Sequence, residues 1–125
     1  MKKVIYTGNA PEPLGPYSQG IEANGTLYVS GQIAIDPVSN SLIEGTIEEE
    51  THRVIQNIKA ILTEASYVFD DVVKCSIFVK RMNDFASINE VYGQYFGESQ
   101  PARETVEVSC LPKNVNIEIS CIAVK

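Results

Sequence analysis

The sequence lacks the long apolar run that a membrane-spanning helix requires. Its longest apolar stretches are far shorter than about 20 residues, although 44% of the 125 residues are hydrophobic, as is usual for globular domains. Lys2 and Lys3 precede no apolar segment of the length found in secretory signal peptides. The sequence therefore predicts a single domain over residues 1–125 that lies in the cytoplasm and has no membrane partner.

Cysteine and histidine are scarce. The three cysteines, Cys75, Cys110 and Cys121, form no CxxC pair and lie in segments that read as strands. This pattern disfavours a disulfide framework and a zinc site and favours buried free thiols. The single histidine, His52, has no second histidine or cysteine at ligand spacing, so we expect no metal site.

The signatures of several common enzyme classes are missing as well. The chain contains no GxGxxG, no GxxxxGK[ST], no GxSxG and no HExxH, so nucleotide binding, serine-triad hydrolysis and metalloprotease activity lack their characteristic motifs. We expect no cofactor. The 10 basic residues are scattered and outweighed by 16 acidic ones, for a net charge of -6, which disfavours nucleic acid as a partner.

An Asn-Gly pair marks a β-hairpin near the N-terminus. Two runs with strand character, residues 17–22 and 27–35, flank the turn at residues 23–26, and Asn-Gly between such runs is a strong hairpin signal. Residues 9–16 contain three prolines and a glycine, which exclude helix and central strand. We expect a rigid loop there, after a short strand at residues 4–6.

Apolar spacing predicts two helices. Residues 48–65 carry apolar side chains every three or four positions, and a Thr-x-x-Glu capping box at residues 46–49 marks the start of this helix. A second helix is predicted to begin at Asn83 or Asp84, either of which is a favourable N-cap, and to stop at Gly97.

Alternation of apolar and polar residues predicts three strands in the second half, at residues 72–80, 104–111 and 115–124. The order strand, hairpin, helix, strand, helix, strand, strand predicts an α+β domain whose mixed sheet carries both helices on one face. The last strand has apolar side chains on both of its faces. Because a second apolar face usually contacts another protein surface, we infer a homo-oligomer.

Arg103 is the first candidate for chemistry. It follows Pro101 and Ala102, where a loop passes into a predicted strand, so a rigid element would hold its side chain at the rim of a pocket. A guanidinium presents a planar fork of donors that matches a carboxylate. The alternative is a surface arginine paired with one of the 16 acidic residues.

Glu118 is the second candidate, because it interrupts the apolar character of the last strand. A half-buried carboxylate without a dedicated partner has a raised pKa and can transfer protons near neutral pH; the alternative is an ordinary solvated side chain. Tyr17 after the proline loop, and Ser30-Gly31 within a strand, are weaker signals, since a strand glycine marks a bulge or a close backbone approach. Asn89 on the second helix is uninformative by itself.

Eight short segments stand in a characteristic order from one end of the chain to the other. They are LGPYSQG at 14–20, VSGQI at 29–33, NDF at 83–85, NEVY at 89–92, PAR at 101–103, VEV at 106–108, LPK at 111–113 and IEI at 117–119. In this order and at nearly this spacing, they closely resemble the reactive intermediate deaminase family, RidA or YjgF.

The resemblance implies a chorismate-mutase-like α+β fold with a six-stranded mixed sheet and two helices on one face. It implies a homotrimer whose sheets form a central barrel, with three clefts between subunits. It also implies hydrolysis of 2-iminopropanoate and 2-iminobutanoate, or of the enamines 2-aminoacrylate and 2-aminocrotonate, to 2-keto acids and ammonia.

The resemblance also assigns roles to particular positions. Arg103 matches the arginine that binds the substrate carboxylate, and Glu118 matches the glutamate that positions or activates water. The other matched positions line the cleft: Tyr17, Ser30, Gly31 and Asn89. We expect Arg103 and the loop before Tyr17 to come from different subunits, so that the trimer is needed for activity.

The sequence departs from the family pattern at Thr105, where many relatives have a cysteine. A thiolate therefore takes no part here, and we expect Thr105 only to help bind the substrate. Two other classes of function stay open: a non-catalytic trimer that binds a small keto acid and regulates a partner, and the ribonuclease or translation inhibitor activity attributed to relatives. A sensor needs only Arg103, so the presence of Glu118 favours the enzyme, and the net charge of -6 disfavours RNA.

Overall fold

A computed structural model describes residues 1–125 and places six strands in one mixed sheet. The strands are β1 (Lys3–Ile5), β2 (Gly20–Ala23), β3 (Thr26–Gln32), β4 (Ile35–Asp36), β5 (Ser41–Leu42), β6 (Val72–Val79), β7 (Ala102–Glu107) and β8 (Ile117–Val124). The order across the six-stranded sheet is β1-β2-β3-β8-β6-β7, and every neighbouring pair is antiparallel except β6 and β7, which run parallel. A separate two-stranded sheet joins β4 to β5.

Both predicted helices are present, as α1 (Ile47–Glu64) and α2 (Phe85–Phe96). The capping box that predicts the start of α1 is formed, since Thr46 and Glu49 bond reciprocally, side chain to backbone amide. Asp84 is the N-cap residue of α2, as one of the two predicted alternatives, but its side chain makes no capping hydrogen bond, and its Oδ2 lies 3.6 Å from Nη2 of Arg81. No helix is long and apolar enough to cross a membrane.

The two helices cover one face of the six-stranded sheet, which we call the helix face. Between them lies the core, in which apolar residues of α1 and α2 pack against those of β3, β6 and β8. Along β8, every second residue from Ile117 to Ala123 is buried on this side, whereas Glu118, Ser120 and Ile122 project half-buried from the other side. The α+β architecture with both helices on one face is therefore confirmed.

The opposite side of the sheet, which we call the open face, carries large apolar side chains that no part of the chain covers. Tyr28 is 50% exposed and lies beside Ile122 across β3 and β8. Phe78 and Val106 are paired across β6 and β7, and Val106 is 40% exposed. The prediction that both faces of the sheet carry apolar residues is confirmed.

The hairpin is also confirmed, but its second strand is shorter than predicted. Asn24 and Gly25 have φ values of 53° and 77°, the left-handed conformation that a tight hairpin turn demands. The predicted strand at 27–35 ends at Gln32, because Ser30 and Gly31 together lie opposite Ser120 alone and bend the strand away. This bulge directs the following residues into the small β4–β5 sheet.

The predicted strand at residues 104–111 is wrong at both ends, since β7 spans Ala102–Glu107. An edge strand extends only as far as its partner does, and β6 ends at Val79, whose carbonyl accepts the last bond, from the amide of Val108. Cys110 therefore lies in a loop and is exposed, which corrects the expectation of a buried thiol, whereas Cys75 and Cys121 are buried as expected.

Candidate functional site

A cavity of about 340 Å³ opens beside the β3 bulge, between the proline-rich loop, β3 and the start of β8. We call it the Glu118 cavity. Four of the residues that sequence analysis selects line it: Tyr17, Ser30, Gly31 and Glu118. Residues more than 80 positions apart in the sequence are thus brought together, because β3 and β8 are neighbours in the sheet.

Glu118 fits this cavity only because residue 31 is glycine. A Cβ atom added at Gly31 would overlap the carboxylate and Cγ of Glu118. The strand glycine is therefore both a bulge residue and a point of close approach, the two alternatives that its position in a strand suggests. Burial raises the pKa of the Glu118 carboxyl above its usual range, since no cation or hydrogen-bond donor of the chain compensates the lost hydration.

One wall of the Glu118 cavity is a loop held by a buried glutamine that sequence analysis does not single out. Gln19 is only 2% exposed. Its amide nitrogen donates to the carbonyls of Thr7 at 3.0 Å and Pro11 at 2.9 Å, and its amide oxygen accepts from the backbone of Thr7 at 2.7 Å. Tyr17 closes the same loop, because its hydroxyl accepts from the amide of Leu14 at 3.1 Å.

The opposite wall depends on two more polar side chains, Ser30 and Asn57. Ser30 donates its hydroxyl proton to the carbonyl of Ser18 at 2.5 Å, which leaves the oxygen lone pairs available to accept a hydrogen bond. Asn57, fully buried on α1, donates to the carbonyls of Ile33 at 3.1 Å and Ile35 at 3.0 Å. Asn57 thus fixes the segment that follows β3. The sequence signal for this role is the position of Asn57 among the apolar residues of α1.

Arg103 lies elsewhere, at the start of the edge strand β7, where it packs against α2. Its Nη1 donates to Oδ1 of Asn89 at 2.8 Å. Its guanidinium carbon lies 4.9 Å from the ring centre of Tyr92 and 5.5 Å from that of Phe85. With Asn89 and Tyr92 it lines a second cavity of about 230 Å³, which we call the Arg103 pocket. Arg103 forms no ion pair, unlike the alternative of a surface arginine neutralised by an acidic neighbour.

Within one chain, Arg103 and Glu118 project from opposite faces of the sheet. Arg103 lies opposite Cys75 of β6, and Cys75 is fully buried on the helix face. Glu118 lies opposite Phe78, three residues further along β6, and residues separated by an odd number in a strand point to opposite faces. A small molecule therefore cannot contact both side chains of the same copy.

Thr105 lines neither the Glu118 cavity nor the Arg103 pocket. Thr105 follows Arg103 by two residues on the same face of β7, and its hydroxyl is buried without a hydrogen-bond partner. Glu104 between them points to the open face, where it pairs with Lys74 at 2.9 Å. The bonds from Lys74 and Ser76 lower the pKa of Glu104. This carboxylate is thus directed away from the Arg103 guanidinium. No group of three or more His, Cys, Asp or Glu side chains is arranged to hold a metal ion.

Comparisons with known proteins agree on one family. A family model described as endoribonuclease L-PSP matches residues 7–125. A RutC family protein of Pyrococcus horikoshii is 56% identical over 100% of this chain and 99% of its own. The mouse 2-iminobutanoate/2-iminopropanoate deaminase is 42% identical over 100% of this chain and 93% of its own.

A solved structure extends the agreement to three dimensions. A protein of the Rid family from Yersinia pestis, itself of unknown function, superposes with a TM-score of 0.97 at 47% identity, and the match covers 100% of both chains.

Proposed function

The chain belongs to the endoribonuclease L-PSP family, also known as RidA or YjgF, and on that basis we propose that it hydrolyses reactive 2-imino acids to 2-keto acids and ammonia. The observation that carries the proposal is Glu118, a half-buried carboxyl with a raised pKa that lines a cavity with Tyr17 and Ser30. A carboxylate whose pKa is raised in this way is a better proton acceptor than a solvated one and can return the proton within the site. The deaminase activity named for the mouse relative supports the same chemistry.

We propose further that the working site forms between two copies of the chain. Arg103 carries a positive charge that no carboxylate neutralises, and it lies on the edge strand, across the sheet from the Glu118 cavity. A second copy packed against the open face would bring its own Arg103 to this cavity while covering apolar side chains such as Tyr28 and Val106. We expect a homotrimer with closed cyclic symmetry, so that each copy supplies half of two sites.

The reaction needs few groups. The iminium carbon of R–C(=NH2+)–COO- is already electrophilic, so no covalent nucleophile is needed. We expect Arg103 of one copy to bind the carboxylate through its planar fork, and Glu118 of the other to accept a proton as water attacks. The same proton then passes to the nitrogen of the tetrahedral intermediate R–C(OH)(NH2)–COO-. The C–N bond breaks as Glu118 takes the remaining hydroxyl proton and passes it to the departing ammonia, so the products are R–CO–COO- and NH4+.

The remaining cavity residues have roles consistent with this scheme. Ser30 already donates its proton to the Ser18 carbonyl, so we expect its oxygen to accept from the substrate N–H. Gln19 and Tyr17 hold the loop that forms one wall of the Glu118 cavity. We infer that Thr105 contributes through its backbone, because its hydroxyl is buried away from both cavities.

One assay tests the proposed function directly. A pyridoxal-phosphate dehydratase generates 2-aminoacrylate or 2-aminocrotonate from serine or threonine, and keto-acid release is timed with and without this protein. We expect acceleration by the wild-type chain and none by Glu118→Gln. Identical time courses with and without the wild-type protein would reject the deaminase.

The family description also names an endoribonuclease, which makes RNA cleavage the second candidate. Within one copy, the Glu118 cavity is lined by two carboxylates, Glu12 and Glu118, and by no lysine or arginine, so the partner's Arg103 would be the one cation of the proposed site. Together with the net charge of -6, this would repel a phosphate backbone, whose recognition depends on basic side chains. The observations therefore favour an imino acid over RNA as the substrate.

A further inference from the structure

We propose that Tyr92 and Phe85 are positioning residues whose rings hold the Arg103 guanidinium in the orientation that receives the substrate carboxylate. The inference rests on the proposed function, because it takes Arg103 to be the carboxylate anchor. It adds two residues that touch neither the substrate nor the reacting atoms.

Three residues on one side of α2, Phe85, Asn89 and Tyr92, hold the guanidinium, and we call them the holder. Phe85, Asn89 and Tyr92 are spaced by four and then three residues, so they share one side of the helix. The ring of Tyr92 lies 4.9 Å and that of Phe85 5.5 Å from the guanidinium carbon, within the range of a cation–π contact. Asn89 fixes the rotation of the group through the 2.8 Å bond to Nη1.

The holder is electrically neutral, and this is what makes it suited to a binding site. An Asp or Glu in place of Asn89 would hold the arginine equally well, but it would compete with the substrate carboxylate for the same donors. Aromatic rings attract a guanidinium through their faces and leave the N–H donors along the edge of the guanidinium free to bind a carboxylate. Since the bond to Asn89 uses one of the five N–H donors of Arg103, four remain for the carboxylate.

Tyr92 is itself held rigidly and takes no part in proton transfer. It is 7% exposed and stacks on Phe96 with ring centres 4.6 Å apart. Burial raises the pKa of its phenol far above the ordinary value, so the ring stays neutral at every working pH. A long arginine side chain loses rotamer freedom when it binds a ligand, and here much of that freedom is already lost before the ligand arrives.

Three variants test the inference through the dissociation constant for 2-oxobutanoate, measured by calorimetry, and through kcat and KM. Tyr92→Leu removes the ring and should weaken binding about fivefold to thirtyfold, as expected for a partly desolvated cation–π contact, with KM affected more than kcat. Tyr92→Phe keeps the ring and should bind like the wild type. Phe69→Leu is the matched control, because Phe69 packs against Phe96 and Tyr95 and is not one of the two rings that contact the Arg103 guanidinium.

A double-mutant cycle separates positioning from a general loss of stability. In an Arg103→Ala background, Tyr92→Leu should cause no further loss of binding, because there is no guanidinium left to orient. The same fold-loss with and without Arg103, or an equal loss in Phe69→Leu, would overturn the inference. If the wild type binds the keto acid but does not accelerate keto-acid release from imines, the proposed deaminase activity is rejected. The double-mutant cycle then still tests whether Tyr92 positions Arg103. If the wild type binds no keto acid at all, the inference is rejected too.

Discussion

Replacing Gly31 by alanine should separate activity from stability, because the three atoms nearest to the added methyl group all belong to Glu118, the proposed catalytic residue. The Cβ atom would overlap the carboxylate and Cγ of Glu118. The backbone cannot easily yield, since the amide of Ser30 donates to the Gln19 carbonyl at 2.9 Å and the Gln32 side chain donates to the Ser30 carbonyl at 3.2 Å. The half-buried Glu118 side chain must therefore move.

The two expected effects differ in size. Overpacking costs about 1 to 3 kcal/mol of unfolding free energy, and we expect the lower end, about 1 kcal/mol, because a side chain that is not fully buried can rotate. A displacement of about 1 Å in a catalytic group costs on the order of a hundredfold in rate. Gly31→Ala should thus lose about two powers of ten in kcat for keto-acid release while its melting temperature falls by only a few degrees.

Gly8→Ala provides the matched control, since an added Cβ at Gly8 meets nothing within 4 Å. It should keep wild-type activity and stability. If Gly31→Ala is as active as Gly8→Ala, the carboxylate of Glu118 does not need its present position, and the reasoning from this contact is refuted.

Three further predictions concern residues of the proposed site. Arg103→Ala should lower kcat/KM by about two to four powers of ten, because it loses two charge-assisted hydrogen bonds of about 1.5 to 3 kcal/mol each. Arg103→Lys should recover little of this activity, because lysine lacks the planar fork. Near-wild-type rates in Arg103→Ala would show that Arg103 does not anchor the substrate. Thr105→Ala should retain most activity in the same assay, because water is the nucleophile, and a loss as large as that of Glu118→Ala would show that the hydroxyl takes part. Burial raises the pKa of Glu118 in the folded state, so the folded protein binds the carboxyl proton more tightly than the unfolded chain does. The contribution of Glu118 to the free energy of unfolding therefore falls as pH rises above its unfolded pKa of about 4.3. Glu118→Gln should therefore melt at a higher temperature than the wild type near pH 7 and show no such gain near pH 3, whereas a gain independent of pH would contradict the burial argument.

Local signals in the sequence predicted the local structure well. The Asn24-Gly25 turn, the start of α1 at Ile47 and the alternating burial of β8 all follow from rules that involve neighbouring residues. The predicted strand ends are wrong where the length of a strand depends on a partner that is distant in the sequence. The strand at residues 27–35 was predicted too long because its bulge forms against Ser120, and the strand at 104–111 because β6 ends at Val79.

Local patterns in the sequence select the residues of the candidate site, but only the family resemblance leads us to expect Arg103 and the loop before Tyr17 on different subunits. Tyr17, Ser30, Gly31 and Glu118 do line one cavity. The separation of Arg103 from that cavity depends on the register of β7 against β6, which places Arg103 beside the buried Cys75, and no local pattern encodes a register between strands so far apart. The roles of Gln19 and Asn57 were missed for a similar reason, since their partners are backbone carbonyls of distant loops.

The central claim, that Arg103 of one copy and Glu118 of another act on the same imino acid, is tested most directly by mixing two inactive variants. Arg103→Ala and Glu118→Gln are unfolded together in equal amounts, refolded, and assayed for keto-acid release. In randomly mixed trimers, three quarters contain both variants and each of these has one complete site of three, so activity should return to about a quarter of the wild-type value. If the mixture stays as inactive as each variant alone, although native mass spectrometry confirms mixed trimers, the shared site is contradicted.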